Sequence, residues 1–168
     1  IPANQALAVS AKDIAENYKA TLRCSGTTTI TREKGMSPIS YLGSFEIYSD
    51  PVGGVKQKKL IVVNVVDFEE GYLKGVVPSE MPSSWPEEAL KAQAIAARTY
   101  AADKILLARA GNGRSDRYDV EDTVQDQAYL GTLKRRASTS AAIDETRGQV
   151  LLYKNKPITA FFSADSGG

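Results

Sequence analysis

Apolar residues crowd together at positions 60–66, Leu-Ile-Val-Val-Asn-Val-Val, with β-branched side chains dominating and polar residues on the N-terminal side. A short run of that kind, closed by polar flanks, predicts a buried β-strand. Upstream the pattern thins to alternation, Phe45 and Ile47 being spaced by Ser44, Glu46 and Tyr48, which predicts a second strand. Residues 24–31 join a Cys-Ser-Gly turn signal to Thr-Thr-Thr-Ile-Thr and predict a further weak strand. Residues 6–22 read as a short amphipathic helix.

At Asp67 the period changes. Asp67 and Glu70 have the spacing of an N-cap and its N3 partner, and Tyr72, Leu73, Val76 and Val77 recur at helical intervals. Residues 84–110 predict the principal helix. Ser84-Trp85-Pro86-Glu87 fits a capping box with Pro86 in the first turn, and no Gly or Pro interrupts the chain from Glu87 until Gly111. Leu90, Ala94, Ala97, Ala101 and Ile105 form its apolar stripe, and half of residues 89–102 are alanine, so another backbone can approach closely. Residues 138–147 predict a helix ended by Gly148, and the remainder a hairpin with Asn155 and Lys156 at its turn. The sum is an α+β (or mixed α/β) fold: a single compact domain with a central Ala-rich helix packed on short strands.

Composition narrows the chemistry. The 168 residues hold 42% hydrophobic and 24% charged residues, with 21 Lys+Arg against 20 Asp+Glu. A net charge of +1 gives no electrostatic reason to expect nucleic acid as a partner. There is no histidine and a single cysteine, Cys24, so a histidine-dependent triad, an internal disulfide and a cysteine metal cluster are excluded. No apolar run reaches the roughly 18 to 20 residues a membrane span needs. Ile1 in place of an initiator methionine leads us to expect a processed or partial chain, with any signal or membrane anchor already removed.

Several side chains stand out against this background. Glu80 lies between Pro78 and Pro82 with Val77 and Met81 beside them, and a carboxyl group in apolar surroundings can serve as an acid near neutral pH. Capping the next helix or simple solvation is the alternative. Arg98 has Ala94, Ile95, Ala101 and Ala102 as its helical neighbours, so it needs an anion from elsewhere. Glu80, a bound ligand and a purely structural partner are the choices. Gln93, Gln127, Tyr129, Ser163 and Ser166 are polar groups placed where a ligand could be bound. The aspartates at 116, 119, 122 and 126 lack the glycine and terminal glutamate of a calcium loop, so no metal and no cofactor is expected.

Three separated stretches, GYLKGVVPSEMPSSWPEEALKAQAIAARTYA, DTVQDQAYLG and AIDETRGQVLLYKNKPITAFFSADSGG, resemble the stage II sporulation protein D (SpoIID) family in the family's order. The resemblance covers residues 57–168 as a catalytic domain and leaves 1–56 outside as an N-terminal segment. It implies a lytic transglycosylase that cleaves the MurNAc-GlcNAc bond of peptidoglycan to a 1,6-anhydroMurNAc product, with denuded glycan as substrate. The implied acid and base is the glutamate of PSEMP, here Glu80, and the arginine of AARTY, here Arg98, is implicated with it. The rival implication is a non-catalytic peptidoglycan-binding or amidase-regulating module, with a cell-wall amidase as partner. Either role implies an extracytoplasmic location. Some relatives bind zinc through Cys and His near residues 118–129, which this chain lacks. Phe162 and Ser163 depart from the family pattern, and that pattern continues beyond Gly168, so the domain is expected to be cut short at its C-terminus.

Overall fold

In the computed structural model, which describes residues 19–23, 26–31, 36–50 and 59–163, the early strands and the first helical segment close over one core. Strands β1 (Lys19–Leu22), β4 (Ser44–Asp50) and β5 (Lys59–Val65) form an antiparallel sheet in the order β1-β4-β5. Strands β2 (Thr28–Ile30) and β3 (Ile39–Tyr41) pair beside it. The amphipathic helix expected at 6–22 falls mostly outside the described residues, as do Cys24 and Ser166, and the part that is described, Lys19–Leu22, is strand.

The alternation read at 44–48 is real packing, with Phe45 and Ile47 turned inward at 2% and 6% exposure. The apolar run at 60–66 is a strand, but not a buried one. β5 lies at the sheet edge against β4 alone, and Val62 and Val65, on opposite faces of the strand, are each nearly half exposed. Asn64, the polar member of the run, donates from Nδ2 to the carbonyls of Leu42 and Ser44 at 2.8 and 3.1 Å. It thereby fixes the Leu42-Gly43 turn into β4.

Downstream of β5 the chain enters a π-helical turn, Phe68–Leu73, which runs directly into α1 (Lys74–Glu80). Asp67 caps the turn as its spacing predicts, accepting from the Glu70 amide at 2.7 Å. Tyr72 N reaches back five residues to Asp67 O at 2.9 Å, the wider ring that defines a π turn. α2 (Glu87–Arg109) is the long Ala-rich helix, with Leu90, Ala94, Ala97 and Ala101 buried at 0 to 1% exposure. Its start differs from the capping box. Pro86, with extended backbone, occupies the N-cap, and no side chain caps the helix. Ser84 belongs instead to the 82–85 turn closed by Trp85 N on Pro82 O at 3.1 Å, two residues too early to reach the first-turn amides.

α3 (Ala137–Glu145) packs on α2, and β6 (Leu152–Tyr153) with β7 (Lys156–Pro157) makes the terminal hairpin. Its turn is carried by Lys154 and Asn155, at φ 49° and 61°, one residue before the expected pair. Two consecutive positive φ values are what a two-residue hairpin loop requires.

The core joins both parts of the chain. Tyr41, Phe45, Tyr72 and Tyr129 form an aromatic group with ring centroids 5.4 to 5.9 Å apart, against Leu73, Val76, Val77, Ala94, Ala97 and Ile143. Gly75 makes this approach possible. A Cβ there would stand 2.5 Å from the Tyr129 ring and 2.6 Å from Gly131 O. In an open helix Gly→Ala stabilises by about 1 kcal/mol. Here we expect Gly75→Ala to destabilise by about 1 to 3 kcal/mol through overpacking, read as a lower urea midpoint. An unchanged or raised midpoint would contradict this packing.

Candidate functional site

Glu80 is the last residue of α1 and is exposed. Its sequence neighbours diverge around it: Val77 and Pro78 turn into the core while Pro82 points outward. The apolar enclosure expected from local sequence is therefore not formed, because α1 ends here and leaves its last side chain at the surface. What holds the carboxylate is a backbone donor, Ala128 N, at 2.5 Å from Oε1. Oε2 has no hydrogen-bond partner among the described residues.

Five contacts fix the segment that offers this donor. Asp126, its side chain 4% exposed, accepts from Tyr100 Oη at 2.8 Å and from Glu121 N at 2.9 Å, with Arg114 at 3.5 Å. Gln127 is 1% exposed. Its Oε1 accepts from Tyr72 Oη at 2.8 Å and its Nε2 donates to Ala97 O at 3.2 Å. Burial, followed by the nearby charge of Asp126, pushes the Tyr72 hydroxyl far up from its ordinary range, so it stays protonated and remains a donor. Glu80 is among the charges that act on it.

Two residues expected to bind ligand are thus part of the scaffold. Gln127 has both ends of its amide engaged inside the protein. Tyr129 is 5% exposed and packed among the aromatic rings, with Oη donating to Asn64 Oδ1 at 3.0 Å. Burial pushes its hydroxyl up to about 12. Ser163 is exposed and Phe162 packs against the core. Gln93 is 8% exposed on α2, with no hydrogen-bond partner for Nε2 among the described residues.

Arg98 is the largest fully buried side chain, at 1% exposure, and it does not turn to Glu80. Its Nε and Nη2 grip Glu69 Oε1 and Oε2 at 2.9 and 3.0 Å. Nη2 also donates to Ile143 O at 3.1 Å, and Nη1 to Gln149 O at 3.2 Å and Thr146 Oγ1 at 3.4 Å. A guanidinium has five N–H donors, and these five contacts engage all of them. The arginine clamps the π turn, the end of α3 and the segment leading to the hairpin, which corrects its expected placement beside Glu80. The physical reason is reach: its face of α2 looks toward α3 and the π turn, where Glu69 supplies the anion. Glu69 and Ala128 are the residues that sequence reasoning missed. An unpaired arginine signals that a buried acid exists, but says nothing of which one.

A family model described as SpoIID, stage II sporulation protein, matches residues 56–153. An uncharacterized protein of Brachyspira hyodysenteriae is 43% identical over 135 residues, covering 79% of this chain and 33% of that protein. An amidase enhancer of Bacillus subtilis is 44% identical over 96 residues, 57% of this chain and 12% of the enhancer. Stage II sporulation protein D of Bacillus subtilis is 37% identical over 110 residues, 59% of this chain and 32% of that protein. The chain thus spans a third or less of the length of these relatives. No solved structure matches it.

Proposed function

Because the chain belongs to the stage II sporulation protein D family, we propose that it cleaves peptidoglycan glycan strands as a lytic transglycosylase, with Glu80 as the single acid and base. The observation that carries this reading is the state of the Glu80 carboxylate. It is exposed at a helix end, one oxygen is fixed by Ala128 N, and the other has no partner among the described residues.

That geometry divides the two oxygens by role. The Ala128 N–H can only donate, so Oε1 must accept and the transferable proton belongs on Oε2. Protonated Glu80 gives that proton to the glycosidic oxygen between MurNAc and GlcNAc as the bond to the muramic acid C1 breaks. The carboxylate then takes the proton of the C6 hydroxyl on the same sugar, whose oxygen bonds to C1 and closes the 1,6-anhydro ring. No water is consumed, and the acid ends in its starting form. Two-carboxylate glycosidases need their second acid as nucleophile or base. An internal hydroxyl takes that part here, with the advantage of intramolecular attack.

The relative named an amidase enhancer favours one alternative: a module that binds glycan on this face and acts through a cell-wall amidase. Both readings place the protein outside the cytoplasm, with any membrane attachment through a segment other than those described. Digestion of purified, denuded glycan strands separates them. The transglycosylase reading expects new 1,6-anhydro ends; binding without new ends would leave the amidase-regulating module.

A further inference from the structure

Tyr72 and Gln127 carry an inference about how the acid is aimed. Both are buried, at 8% and 1% exposure, and their polar groups are engaged with each other and with Ala97 O. The 2.8 Å bond from Tyr72 Oη to Gln127 Oε1 lies where a Phe–Leu pair would pack with less desolvation cost. The Tyr72 ring would lose little by that change, since its stacking on Phe68 at 6.1 Å and its contact with Tyr129 at 5.4 Å involve the ring alone. What an apolar pair lacks is the direction of a hydrogen bond.

That direction matters one residue further along. Tyr72 and Glu80 stand on the same unbroken helical stretch, and Gln127 and Ala128 are consecutive. Two hydrogen bonds therefore tie one helical stretch to one segment: Tyr72 Oη to Gln127 Oε1, and Ala128 N to Glu80 Oε1. Gln127 Nε2, donating to Ala97 O at 3.2 Å, adds α2 as a further fixed point. With its side-chain amide held from both sides, residue 127 has little freedom to rotate. The peptide unit that joins it to residue 128, and carries the Ala128 N–H, is set with it. The other anchor of the segment, Asp126 on Tyr100 Oη and Glu121 N, lies one residue further from that peptide unit.

We propose that Tyr72 and Gln127 are positioning residues for Glu80: their bond turns the Ala128 N–H toward Oε1 and so leaves Oε2 to face the glycosidic oxygen. This rests on the transglycosylase reading above. Neither residue gives or takes a proton in the reaction. Without their bond the 127–128 peptide unit can turn, and the Glu80 carboxylate has no other hydrogen-bond partner among the described residues to hold it. A misplacement of about 1 Å at a reacting group can cost about 100-fold in rate.

The test compares Tyr72→Phe, and Tyr72→Phe combined with Gln127→Leu, with the parent chain. Three quantities are read: release of 1,6-anhydro ends from purified denuded glycan, the thermal midpoint, and hydrogen exchange at the Ala128 amide. Both variants should lower kcat by about 10-fold to 100-fold and leave KM unchanged, because neither side chain meets the substrate. The single variant strands Gln127 Oε1 and should melt lower. The double variant removes both polar partners and should melt near the parent, so it decides the matter even if the single variant fails to fold. In the double variant the Ala128 amide should exchange as fast as it does in Glu80→Ala, which lacks the acceptor, while the amides of α2 keep the parent's protection. Turnover that recovers together with the midpoint would overturn the proposal and make the pair structural, and so would an Ala128 amide still protected as in the parent. A parent that makes no 1,6-anhydro ends would overturn the transglycosylase reading itself, and exchange at Ala128 would still decide whether the pair sets the carboxylate.

Discussion

Glu80→Gln is expected to give a folded protein that makes no 1,6-anhydro ends. The amide is nearly isosteric with the carboxyl group, and its oxygen can still accept from Ala128 N, so the contact that fixes the side chain survives. Glu80 is exposed, and surface substitutions of this kind change stability by about 0.5 kcal/mol or less. The proton alone is lost. General acid or base catalysis by one positioned group is worth about 100-fold to 10,000-fold, and one carboxyl group carries both steps here. The loss should therefore lie at or beyond the upper end of that range. Chromatography of anhydro-ended fragments, alongside a melting curve of the same sample, checks both halves. Cleavage near the wild-type rate would remove Glu80 from the mechanism.

Arg98 should behave in the opposite way, with stability lost first and activity only as a result. Truncation to alanine strands the Glu69 carboxylate, its side chain 15% exposed, and takes the donor from the carbonyls of Ile143 and Gln149. Removing one partner of a buried pair costs about 3 to 5 kcal/mol, set against a total stability of about 5 to 15 kcal/mol for a domain. Arg98→Lys keeps the charge but not the fork, and should fall between. Glu69→Ala should lose nearly as much as Arg98→Ala, and the double variant little more than either, because contacting residues do not add. Urea melts of the four proteins give the coupling directly. Should Arg98→Lys instead melt like the parent and lose turnover, the arginine would regain a substrate-orienting role.

These two residues also mark how far sequence alone can go. The strand at β4, the Asp67 cap and α2 are legible because each is written in a local period or spacing. The Arg98 anchor is not, since its acid lies 29 residues away and only the packing of α2 against the π turn unites them. Glu80 stands out in the sequence, but its setting does not: apolar neighbours in sequence enclose a side chain only if the backbone keeps them together, and α1 ends there. Its partner is a backbone N–H, a group every residue but proline possesses, so no residue type could announce it. Gln93 and Gln127 are the same amino acid with opposite fates, one with an amide nitrogen that finds no partner among the described residues and the other with its amide fully engaged. The capping box fails by two positions because Pro86 takes the cap for itself.

The join between the π turn and α1 has a consequence for how insertions and deletions would act. Glu69 is gripped at one end of a single unbroken helical stretch and Glu80 stands at the other, so the azimuth of the acid is set by the number of residues between them. Deleting one residue from that stretch would swing the carboxylate by about 100° around the axis, away from the amide that meets it. The wide ring at Asp67 is the form a helix takes when it absorbs one surplus residue. The stretch is therefore a dial with one working setting, and a length polymorphism at positions 70–79 would silence the acid even where every side chain involved was retained.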